Sequence, residues 1–85
     1  MEYVIIAFRS RAHTVRFYEF LSKNGVYCEI VNTPKEAGVG CGLSVRISPN
    51  SIVVAKNAVR IVGFSSFAGV FKVINDHGRR IVKSI

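Results

Sequence analysis

An 85-residue chain holds one hydrophobic core at most, so a multidomain enzyme is excluded and residues 1–85 read as a single domain. With 49% apolar and 20% charged residues it is no disordered segment, and twelve Lys and Arg against five Asp and Glu leave a net charge of +7. That charge suits an acidic protein partner, a phosphorylated ligand, nucleic acid or an anionic surface.

The run Tyr3 to Phe8 is continuously β-favouring, as expected of a central strand covered on one face. It has no basic leader and Arg9 and Arg11 follow it, so it reads neither as a signal peptide nor as a membrane span. Ser10 stands at an N-cap position, and Ala12, Val15, Phe17, Tyr18, Phe20 and Leu21 recur at helical spacing after it. Asn24-Gly25 ends that helix, with Gly25 supplying the left-handed residue that side chains disfavour.

Val26, Cys28 and Ile30 alternate with Tyr27, Glu29 and Val31, which predicts a second strand with Cys28 facing inward. A Gly-rich connection leads to a third strand, Leu43 to Ile47, again alternating. Ser48-Pro49 reads as N-cap and first residue of a second helix, with Ile52, Ala55, Val59 and Val62 at helical spacing and Gly63 at its end. Phe67 to Ile74 is a fourth strand interrupted by Gly69, Asn75 to Gly78 a turn, and Arg79 to Ile85 a short fifth strand beside the fourth. The order is βαββαβ with an added C-terminal strand: an α+β, ferredoxin-like split βαβ sandwich with both helices on one sheet face. That topology gathers Arg9, Ser10, Arg11, His13, Lys35 and Cys41 at one end.

Two residue groups there carry chemistry. Cys41 lies in Gly38-Val39-Gly40-Cys41-Gly42, where Gly40 and Gly42 leave a sulfur sterically open, and Lys35, Arg46 and the start of the first helix would raise its thiolate fraction. Arg9-Ser10-Arg11 at a helix start offers free amides and two guanidinium groups to an anion. His13 is an acid–base candidate, weighed against a packing role. Cys28 reads as a small core hydrophobe, and a Cys28–Cys41 bridge is not expected. Two cysteines without CxxC spacing fit neither a secreted disulfide scaffold nor a zinc site. A cytoplasmic location with neither metal nor cofactor is the expectation. Nucleic acid is disfavoured, because the third strand carries no aromatic for base stacking. The aromatic first helix suits a homodimer or partner contact as well as a broad core stripe.

The residues Phe8-Arg9-Ser10, His13, Asn24-Gly25-Val26, Thr33-Pro34-Lys35-Glu36, Gly40 to Arg46 and Ser48-Pro49 resemble the selenium/sulfur carrier-like family of small bacterial domains, over about residues 3–74. The resemblance implies that Cys41 is a carrier thiol that accepts selenium or sulfur and passes it between donor and acceptor enzymes. The chain departs from the family pattern at Arg11, where threonine is usual, and in the glycines before Cys41, where serines are commoner. The alternative to a carrier is a small anion-binding or protein-interaction module in which Cys41 is incidental. A conventional enzyme ranks behind both, since no nucleophile–base set emerges.

Overall fold

The computed structural model describes residues 1–40 and 42–85. In chain order the elements are β1 (Glu2–Phe8), α1 (Arg11–Lys23), β2 (Cys28–Asn32), a 3₁₀ turn (Lys35–Ala37), β3 (Leu43–Ile47), a second 3₁₀ turn (Pro49–Ser51), α2 (Ile52–Val62), β4 (Phe67–Asp76) and β5 (Arg79–Ser84). The architecture is α+β, two helices with a five-stranded antiparallel sheet ordered β2-β3-β1-β4-β5.

Local signals in the sequence set most boundaries. The Ser10 hydroxyl accepts from the His13 amide at 3.2 Å and caps α1, while Gly25 follows the Asn24 C-cap at φ +78°. Ser48-Pro49 starts a 3₁₀ turn instead of α2 itself, whose first helical residue is Ile52. The second strand begins at Cys28, two residues later than the alternation suggests, and Val26 packs against the core from the connection. At the hairpin, β4 continues to Asp76, where Asn75 pairs with Met1, and the turn contracts to His77-Gly78. Both turn residues have positive φ, +49° and +78°, as the two-residue turn that matches strand twist requires.

The main core lies between one sheet face and the helices. Val4, Ile6 and Phe8 of β1, Val45 and Ile47 of β3, Cys28 of β2 and Val70 of β4 meet Phe17 and Leu21 of α1 and Ala55 and Ala58 of α2. The buried positions of α1 are Thr14, Phe17 and Leu21, whereas Ala12 and Val15 of the expected apolar stripe lie outside. The Thr14 hydroxyl is affordable inside because it donates to the Ser10 carbonyl at 3.2 Å and lies 3.4 Å from the Leu43 carbonyl.

Coverage of the second sheet face departs from expectation. Ile5, Ala7, Ser44 and Val73 point away from the helices, yet all four are fully buried. β5 meets the Lys35–Ala37 turn, and Arg80, on that same face, bridges to Glu36. β1 is therefore covered on both sides. Among the described residues, no helix is long and apolar enough to cross a membrane.

Candidate functional site at the amino end of the first helix

Three connections converge where β1 hands over to α1. The Arg9 amide donates to the Ser66 carbonyl at 2.8 Å, which ties the β1–α1 turn to the α2–β4 connection. His13 strengthens that tie: its Nδ1 shares a 2.6 Å hydrogen bond with the Ser66 hydroxyl, and its ring stacks on Phe64 at 4.4 Å between centroids, 10° from parallel. The third connection is the 33–42 loop. Its mouth is closed by the Thr33 amide donating to the Gly42 carbonyl at 2.9 Å and by a 2.6 Å hydrogen bond between the Thr33 and Ser44 hydroxyls. Thr14 then links α1 to this mouth through Leu43.

The expected residues fall into three groups. Arg9, Ser10, Arg11 and His13 sit together at the amino end of α1, with both arginines exposed and without an ion pair among the described residues. Lys35 and Gly40 belong to the loop that closes on Gly42; Lys35 is exposed, Gly40 takes φ +81°, and a side chain built at Gly40 or Gly42 would meet nothing within 4 Å. The structure does not bring Arg46 to this end. It lies three residues along β3 from Leu43, about 10 Å at strand rise, on the face away from the helices. There its guanidinium stacks 4.2 Å from the Tyr3 ring centre and pairs with Glu29 at 3.8 Å. Cys41 lies outside the described residues.

Cys28 occupies an interior place. It is 7% exposed, and its sulfur lies 3.5 Å from the Ser22 hydroxyl and 3.7 Å from the Tyr18 carbonyl, where the thiol can donate. A buried, hydrogen-bonded thiol of this kind is inert as a nucleophile. Charge on the 33–42 loop is tuned by Arg80: two hydrogen bonds from its guanidinium, at 2.9 and 3.2 Å, hold the Glu36 carboxyl below its ordinary range.

Sequence reasoning missed Thr14, Thr33, Ser44 and Ser66, which do the fastening. Only Thr14 carries a local signal, four residues after the Ser10 cap, where its hydroxyl reaches back to the Ser10 carbonyl. The partners Ser66 and Ser44 are set by tertiary placement, 53 residues from His13 and 11 from Thr33.

A family model described as "Putative Se/S carrier protein-like" matches residues 3–64, ending ten residues short of the expected stretch. Comparison with curated proteins and with solved structures gives no match.

Proposed function

The chain belongs to the Se/S carrier protein-like family, and from that premise we propose that it is a non-catalytic chalcogen carrier whose cargo rides on Cys41. The observation that carries this reading is an elimination. A thiol carrier needs an accessible sulfur, the chain has two cysteines, and Cys28 is buried among core side chains with its sulfur already engaged. The task then falls to Cys41. The open space around Gly40 and Gly42, the two residues that flank it in sequence, supports access.

In the proposed transfer, the Cys41 thiolate attacks the outer chalcogen of a donor persulfide or selenosulfide. The new S–S or S–Se bond forms as the donor's own bond breaks, and the donor departs as a thiolate, which takes up the proton that Cys41 released. No external oxidant is required, and the rate follows thiolate fraction and access. Arg9, Arg11 and Lys35, exposed and without ion pairs among the described residues, together with the positive end of α1, favour the anionic sulfur. His13 acts in this reading as a fastener of α1 to the Ser66 connection. The sheet order β2-β3-β1-β4 with two helices on one face supports reading the fold as a ferredoxin-like sandwich extended by β5. A cytoplasmic setting would keep the thiol reduced between transfers.

The test uses the full chain with Cys28→Ala, so that only Cys41 reports. Alkylation rate against pH should give an apparent pKa below the free-cysteine value of about 8.5. Incubation with a persulfide donor should add the mass of one sulfur atom, lost again on reduction. An apparent pKa at or above the free value, with no adduct, would overturn the carrier reading.

A further inference from the structure

We propose that the groove between α2 and the β4–β5 hairpin docks an acidic amphipathic segment of a partner protein. This surface is separate from the amino end of α1, and its argument does not rest on the chemistry of Cys41.

The groove has a volume of about 630 Å³ and an apolar floor of Val53, Val59, Phe67, Val70 and Ile85. It opens between α2, the start of β4 and the end of β5. On α2, Ala55 and Ala58 face the core, while Val53, which lines the groove, and Val54 and Ile61, which lie outside it, are 68%, 52% and 72% exposed. Three aliphatic side chains on the outward arc of one helix are more than a solvated face needs.

Charge selects the occupant. Lys56 and Arg60 line the groove, and Lys72 and Lys83 stand directly opposite each other on β4 and β5, on the same sheet face. Like charges placed across a strand pair repel, and Arg60, Lys72 and Lys83 have no ion pair among the described residues. Lys56 donates to the Ile85 main-chain oxygen and Arg60 to the Asn57 side chain. None of the five acidic residues, Glu2, Glu19, Glu29, Glu36 and Asp76, lies on α2 or β5 or lines the groove. A segment that supplies aliphatic side chains to the floor and carboxylates to the rim complements both properties. A second copy of this chain would set Lys56 and Arg60 against their like, under a net charge of +7 on each protomer. An anionic membrane is the weaker match, because the outward arc of α2 carries short β-branched residues and no aromatic or leucine to enter a headgroup layer.

The experiment titrates the full chain, isotopically labelled, with a synthetic helical peptide bearing leucines on one face and glutamates along its borders. Amide shifts are expected over residues 53–60, 67–70 and 84–85, saturating with peptide. The double variant Lys56→Glu with Arg60→Glu should weaken binding by about tenfold or more while its spectrum stays dispersed. Val53→Ser, at a position too exposed to affect the fold, should weaken it several-fold. Cys41→Ser should bind as the parent does, which separates this proposal from the carrier reading. Four results would each overturn it: no saturable binding, undiminished binding by the double variant, tighter sedimentation with phosphatidylglycerol vesicles than with the peptide, or concentration-dependent dimerisation abolished by Val53→Asp.

Discussion

On one face of the sheet Val4, Ile6 and Phe8 meet α1 and α2; on the other, away from both helices, Ile5 and Ala7 are equally inaccessible. The first face is closed by aromatic and aliphatic packing, with Phe17 set 5.1 Å from Phe8 between ring centres. At the second, β5 lies against the Lys35–Ala37 turn and is fastened to it by Arg80 and Glu36. A sheet covered by helices keeps its burial as long as the helices stay docked. One closed by a turn and a hairpin strand depends on a hairpin of the right length and on a few polar ties.

Lost packing costs most on the helix side. Phe17→Ala removes a fully buried ring and should cost about 3–5 kcal/mol in chemical denaturation. Ile5→Ala, on the second face, should cost about 2–5 kcal/mol, because its burial is as complete. A loss below about 1 kcal/mol at Ile5, the scale of a surface change, would mean that the second face is open in solution.

Gly69 sharpens the same contrast. It sits on the second face opposite Ala7, at φ +149°, and an added Cβ would lie 3.1 Å from the Phe71 ring, which folds back over it. Gly69→Ala therefore meets backbone strain and an aromatic face together, and should cost about 1–3 kcal/mol, read as a lower denaturation midpoint. Ser10→Ala removes the α1 cap and should cost about 1 kcal/mol. That loss belongs to the helix side, so amide protection in β5 should be unaffected by it.

What the sequence made legible follows the same division. Period-two and helical patterns, with Ser10, Gly25 and Gly63 as punctuation, located every strand and both helices, because those signals act within a few residues. The second face was invisible to them: a strand buried on one side and one buried on both read alike when the covering element is 30 residues away. Of the candidate site, the amino end of α1 was readable from Arg9-Ser10-Arg11, while its fastening by Ser66, Ser44 and Thr33 was not. Arg46 misled because spacing along β3 cannot say that Tyr3 and Glu29 compete for its guanidinium.

The smallest expected effect tests the clasp itself. Arg80 donates two hydrogen bonds to Glu36 and holds its carboxyl below the ordinary glutamate value of about 4.3. A carboxyl that is more acidic folded than unfolded contributes stability above its unfolded value, and loses it as pH falls through the lowered folded value. Protection of the β5 amides, corrected for intrinsic exchange, should hold at neutral pH and decline below about pH 4, ahead of β1 and β3. The effect is modest because both partners are solvent-exposed and screened. Glu36→Gln should show the reduced protection already at neutral pH and no further step in the acid range. If the two proteins share one acid profile, the Arg80 tie does not hold the second face, and β5 is kept in place by its pairing with β4 and the tight His77-Gly78 turn alone.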